Sequence, residues 1–101
     1  MKKRTDYKIS QLAAKDIENI AYFTISKFGI QQAEMCKNDL KSILTRLNEN
    51  PDIGREYIII SDKVILRYRF KAHTIFYYLS VNKLIIVRIL SNKMNFLKHL
   101  K

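Results

Sequence analysis

Val64-Ile65-Leu66-Arg67-Tyr68-Arg69-Phe70, Thr74-Ile75-Phe76-Tyr77-Tyr78-Leu79-Ser80 and Leu84-Ile85-Ile86-Val87-Arg88-Ile89-Leu90 are three runs dominated by β-branched and aromatic residues. Lys71-Ala72-His73 and Val81-Asn82-Lys83 separate them. Runs of this length and composition, joined by short polar breaks, predict a three-stranded antiparallel meander. Alternation then sorts the side chains: Leu66, Tyr68 and Phe70 share one face, and Ile65, Arg67 and Arg69 share the other. In the last run Ile85, Val87 and Ile89 oppose Leu84, Ile86, Arg88 and Leu90. An unpaired guanidinium is costly to bury. The faces carrying Arg67, Arg69 and Arg88 are therefore expected to turn away from whatever covers the sheet, as a basic patch on an open face.

The cover comes from upstream. Tyr7 to Ser10 reads as a short extended segment, and Ser10 stands where a helix N-cap accepts orphan amide hydrogen bonds. A helix is expected from about Gln11, with Leu12, Ala13, Ile17, Ile20, Ala21, Thr24 and Phe28 as one apolar stripe and Gly29 as its left-handed stop. A second helix is expected from about Ile30 to Asn48, burying Ala33, Cys36, Leu40, Ile43, Leu44 and Leu47 before Pro51 prevents its continuation. The single-glycine connection makes these an antiparallel hairpin whose stripes share one sheet. Asn50 to Asp62 reads as a loop, with Tyr57 to Ile60 anchoring it or starting a strand. Lys93 to Leu100 forms a short tail able to pack through Met94, Phe96, Leu97 and Leu100, with a frayed Lys101. The expected fold is α+β: a short N-terminal strand, a helix hairpin, a three-stranded meander and a tail. At 101 residues it is one domain with one core.

Charge is unevenly spread over that plan. The first 54 residues hold nine basic and seven acidic side chains, whereas Arg55 to Lys101 holds ten and two, and no Asp or Glu follows Asp62. So lopsided a field attracts phosphate polymers or an acidic protein surface. The apolar fraction of 48 % with two Gly and one Pro argues for a compact chain and against disorder. Basic Met1 to Arg4 runs straight into polar residues, so neither a signal peptide nor a membrane span is expected. Together with the lone Cys36, read as a buried structural thiol, this points to a reducing cytoplasm.

The same composition excludes several chemistries. Paired-carboxylate catalysis finds no acid in the sheet. His73 in a turn and His99 in the tail lack the partners and spacing of a zinc site. Two isolated glycines cannot cradle a phosphate, and no serine lies in a nucleophile elbow. No metal or cofactor is expected. One enzymatic option survives, because His73, Tyr77, Arg67, Arg69 and Arg88 are the residue types with which a metal-independent ribonuclease activates a 2′-hydroxyl and stabilises a phosphorane.

Local wording carries a resemblance. Ile9-Ser10 with Leu12-Ala13 and Asp16-Ile17 is followed by Ile20-Ala21-Tyr22-Phe23-Thr24 and Phe28-Gly29. Then come Glu49-Asn50-Pro51-Asp52-Ile53-Gly54-Arg55, His73-Thr74-Ile75-Phe76-Tyr77-Tyr78, and Ile86-Val87-Arg88-Ile89-Leu90 with Met94-Asn95. In this order over nearly the whole chain, these segments resemble the ParE branch of the ParE/RelE superfamily of bacterial toxin–antitoxin systems. Arg69-Phe70-Lys71-Ala72 departs from it, standing where the branch carries a Pro-x-Gly turn.

The resemblance implies a plasmid-stabilising toxin that inhibits DNA gyrase by stabilising its cleaved-DNA complex, a task needing a binding surface and no catalytic group. Its partners would be gyrase, with or without direct DNA contact, and a cognate ParD-like antitoxin in a hetero-oligomeric complex away from membranes. Combined with the charge argument, it puts the target-binding surface at Arg67, Arg69, Arg88, Lys93 and Lys98. The alternative is a ribosome-dependent mRNA endonuclease of the RelE kind using His73, Tyr77 and Arg88. Against it, Thr74, Met94 and Leu100 stand at or near positions where that branch has arginine, arginine and tyrosine.

Overall fold

The structure is a computed structural model that describes residues 7–81 and 83–100. Met1 to Arg4, Asn82 in the last strand connection and Lys101 lie outside the described residues. Strand β1 (Tyr7–Ile9) leads into helix α1 (Gln11–Phe28), which Ser10 caps by accepting the Ala13 N–H at 3.0 Å. Helix α2 (Ile30–Glu49) follows after Gly29 alone. With φ 92° and ψ 170°, Gly29 occupies extended mirror-image space open essentially to glycine, not the left-handed helical stop expected from sequence.

The sheet has five strands in the order β1-β5-β4-β3-β2, which enlarges the expected meander. Strands β3 (Lys63–Phe70), β4 (His73–Leu79) and β5 (Leu84–Ser91) fall where the hydrophobic runs put them. The segment read as a loop holds a 3-10 turn at Pro51–Ile53, and Tyr57 to Ile60, expected to anchor it or start a strand, belong to a full strand β2 (Arg55–Ile60) that begins two residues earlier and runs antiparallel to β3. A two-residue turn closes β2 onto β3 with Ser61 and Asp62 both at positive φ, the backbone that suits a tight hairpin. β1 pairs in parallel with β5. At the turn lacking Pro-x-Gly, Lys71 adopts φ 55° and its ammonium reaches Asp39 of α2 at 2.8 Å.

Two cores lie on opposite faces of this sheet. Ala13, Leu40, Leu44 and Leu47 of the hairpin pack on Phe70, Ile75, Tyr77, Leu84, Ile86 and Ile89. The other face is not open, because the C-terminal helix α3 (Phe96–Leu100) lays Phe96 and Leu100 over Ile65, Phe76 and Leu90. Phe76, Phe96 and Tyr57 form an aromatic trio with centroids 4.9 to 6.1 Å apart. Ile65 thus leaves the solvent-facing set it was assigned to and is buried. Met94 and Leu97 of the tail stay exposed.

Strict alternation fails in β5. Phe76 pairs with Arg88 but Tyr77 pairs with Ile86, so Val87 is an extra residue and the faces reset across it. Leu84 and Ile86 face the hairpin, as does Ile89, while Leu90 belongs to the opposite core. The stripe of α1 also shifts: Leu12 and Phe28 are 60 % and 66 % exposed and Ala21 is exposed, whereas Asp16 is buried.

Candidate functional site

Among the described residues no strand lies beside the outer edge of β5 beyond the three residues of β1, and α1 supplies partners there. The Ser10 hydroxyl donates to the Val87 carbonyl at 2.7 Å, and Asp16 Oδ2 accepts the Ile89 N–H at 3.0 Å. The same carboxylate takes two bonds from Arg88, Nε to Oδ2 at 2.8 Å and Nη2 to Oδ1 at 2.9 Å. Arg88 Nη1 also donates to the His99 carbonyl of α3. These bonds to Asp16 hold the Arg88 guanidinium above its ordinary pKa against the opposing effect of burial. Arg88 is therefore a clamp joining α1, β5 and α3 rather than a member of an open patch, and its place on the sheet face opposite the hairpin does not free it.

The unpaired positive charge gathers farther across the sheet, on β3 and β2. Cross-strand pairing sets Arg55, Arg67, Phe76 and Arg88 in one row across β2 to β5, with Arg69 two residues along from Arg67. Arg55 and Arg67 stand directly opposite each other, an arrangement that costs stability when nothing neutralises it. They open with Arg69 into a cleft of about 680 Å³ completed by Ile53, Tyr68, Thr74, Asn92 and Phe96, with no acid in its wall. The Arg67 guanidinium lies 5.2 Å from the centroid of the Tyr57 ring, which positions it without using its in-plane donors. Thr74 donates to Asn92 Oδ1, and Asn92 Nδ2 donates to the Lys71 carbonyl, so the floor is tied to the β3–β4 turn. Among the described residues no carboxylate pairs with Arg55, Arg67 or Arg69.

Of the expected binding residues, the cleft brings Arg67 and Arg69 together. Lys93 and Lys98 are exposed outside its lining, and Arg88 is held by Asp16. Arg55 was not foreseen, since its partner Arg67 becomes visible only once β2 is read as a strand.

The alternative nuclease set is not assembled. Tyr77 belongs to the hairpin-side core and is 0 % exposed, with its hydroxyl donating to the Pro51 carbonyl at 2.7 Å, while Arg88 lies across the sheet. Burial pushes the Tyr77 phenol up to about 12, against the lowering effect of a backbone hydrogen bond from Gly54. Burial pushes His73 below its ordinary value, partly opposed by the Asp16 charge. A phenol whose folded pKa exceeds its unfolded one contributes stability in full below the unfolded value. For Tyr77 that contribution is lost as pH climbs from about 10 to about 12. At about 1.4 kcal/mol per unit, roughly 2 to 3 kcal/mol is at stake. Urea midpoints measured from pH 8 to 12 should fall over that window, and Tyr77→Phe should shallow the fall while costing about 1 kcal/mol at neutral pH. Identical alkaline profiles would remove Tyr77 from this role.

A second concavity is apolar. About 240 Å³ lie between α1, α2 and the sheet, lined mainly by Ile17, Ile20, Ala21, Cys36, Leu40 and Phe70. Cys36 is half-buried there and unpaired in any disulfide. Tyr22, Phe23, Phe28, Ile30 and Met35 of the hairpin are exposed. Among the described residues there is no cluster of three His, Cys, Asp or Glu able to hold a metal ion, and no helix is long and apolar enough to cross a membrane.

Helix hairpin, five-stranded sheet and basic cleft define a small α+β fold, and comparison with known proteins gives the family. The family model for the ParE toxin of the type II toxin–antitoxin system parDE matches residues 7–96, so the chain belongs to the ParE toxin family. Among solved structures, the chromosomal ParDE toxin–antitoxin system from P. aeruginosa superposes with a TM-score of 0.70 at 16 % identity, covering 87 % of this chain and 96 % of that one. No curated protein matches the chain in sequence.

Proposed function

We propose that this ParE-type toxin acts by binding DNA gyrase through its basic sheet face and stabilising the cleaved-DNA complex, without catalysing a reaction itself. The observation that carries this reading is the concentration of unpaired arginine on one face, at Arg55, Arg67 and Arg69, while His73, Tyr77 and Arg88 stay scattered on both sides of the sheet. Such a face suits docking to a large anionic target. Lys93 and Lys98 extend the positive field into the tail. The His73, Tyr77 and Arg88 nuclease has no geometric support here.

A cognate antitoxin accompanies this reading in a hetero-oligomeric, cytoplasmic complex. The apolar groove between α1 and α2, flanked by exposed Phe23, Phe28 and Ile30, suits an amphipathic, acidic segment that orders on binding. Its charge would offset part of the net +10.

The test adds purified protein to gyrase supercoiling and cleavage assays, with a ribosome-plus-mRNA cleavage assay in parallel. Gyrase-dependent linearised plasmid with intact mRNA is expected. Codon-phased mRNA cuts with untouched gyrase would overturn the proposal.

A further inference from the structure

We infer that the Arg55–Arg67–Arg69 cleft is a direct binding site for the phosphodiester backbone of single-stranded nucleic acid. The inference deepens the gyrase reading, since it gives the docking face a ligand of its own. It starts from an imbalance: three guanidiniums converge on one concavity with no acid in its wall and no carboxylate partner among the described residues. The other two cations that the sheet and its turns bring beside a helix carboxylate are paired, Arg88 with Asp16 and Lys71 with Asp39, whereas these three converge on one concavity with no such partner. Holding Arg55 opposite Arg67 is unfavourable until an anion bridges them.

The arginine fork matches phosphate oxygens two at a time. Arg67 and Arg69 project from the same strand face about 6.7 Å apart along the strand, a spacing that neighbouring phosphates of an extended single strand can follow. Phe96 on the wall adds an aromatic surface on which an unpaired base can stack. A volume of about 680 Å³ falls within the range of about 300–1,000 Å³ that holds a small ligand. That is room for one or two nucleotides in a concavity, whereas a duplex presents a stiff convex surface. An acidic peptide is less well served, because it must order flexible side chains to place each charge. The apolar residues that would hold such a peptide lie in the other groove, on the hairpin side.

The test is fluorescence anisotropy on the full chain with a labelled 12-nucleotide DNA strand, the same sequence as RNA, and the DNA duplex, across a salt series. Binding to a single strand should be tighter than to the duplex, and the better of DNA and RNA identifies the source. Arg67→Gln/Arg69→Gln should weaken binding by at least about tenfold. It should also reduce the slope of log affinity against log salt by about 1.4. Lys15→Gln/Lys41→Gln removes the same charge from exposed positions on α1 and α2 and should change affinity less than about twofold. Thermal melts of both variants confirm that they fold. Equal losses in the two variants, duplex binding as tight as single-strand binding, or displacement of the oligonucleotide by a Glu-rich 12-residue peptide at equal concentration would each overturn the inference. The assay contains no gyrase, so its failure is distinguishable from failure of the gyrase reading.

Discussion

Asp16→Ala is expected to lower the unfolding free energy by about 3 kcal/mol, among the larger single-site losses in this chain. One carboxylate accepts three hydrogen bonds, two from Arg88 and one from the Ile89 N–H. Both side chains are nearly enclosed, at 14 % exposure for Arg88 and 11 % for Asp16. Truncation strands a guanidinium and a backbone donor together, and that stranding outweighs the lost attraction itself. Arg88→Met/Asp16→Leu should therefore recover much of the loss, since replacing both charges by apolar groups leaves no stranded charge and only two backbone groups, the Ile89 N–H and the His99 carbonyl, without these partners. Urea denaturation of Arg88→Met, Asp16→Leu and the double variant measures the coupling directly. A single-variant cost below about 1 kcal/mol would show the clamp to be ornamental. The outcome also bears on function: a loss of toxicity in Arg88 variants must be read against stability before it is assigned to target binding.

Asp16 marks where the sequence could have been read further. It stands three residues after Ala13 and four before Ile20, inside the stripe it interrupts, and an acid in that position calls for a cation from the packed sheet. Arg88 was the available partner. What concealed the pairing was the bulge at Val87, which moves Arg88 out of the face shared by Leu84 and Ile86 and depends on the β4 register. The helices and β3 to β5 were legible because periodicity and short breaks speak locally. Of β2 only Tyr57 to Ile60 stood out, as an anchor or strand start; its full extent and its place in the sheet were hidden because Asn-Pro-Asp and Ile-Gly-Arg punctuate its beginning and its pairing is with β3. Only two of the cleft's three arginines were legible in consequence. Arg67 and Arg69 stand out in their alternating run, whereas Arg55, Asn92 and Phe96 join them only through sheet pairing and the return of α3.

Gly54→Ala should cost about 3 kcal/mol for a purely steric reason. At φ −82° and ψ 167° the Gly54 backbone is ordinary extended chain, so no dihedral penalty attaches to a side chain there. A Cβ would instead collide with the Tyr77 phenol oxygen, and it would lie 2.7 and 2.9 Å from two ring carbons. The ring is fully buried and its hydroxyl is committed to Pro51, so it has nowhere to withdraw. Either the aromatic core or the segment from Pro51 to Arg55 must move. Adding Tyr77→Phe removes the nearest atom but not the ring carbons, and so should restore only part of the loss. Because Gly54 immediately precedes Arg55, displacement of this segment should pull Arg55 out of line with Arg67 and weaken oligonucleotide binding even in variant protein that remains folded. Wild-type stability in Gly54→Ala would mean that the segment yields freely, and an Arg55 on so loose a support could not be a fixed wall of the cleft.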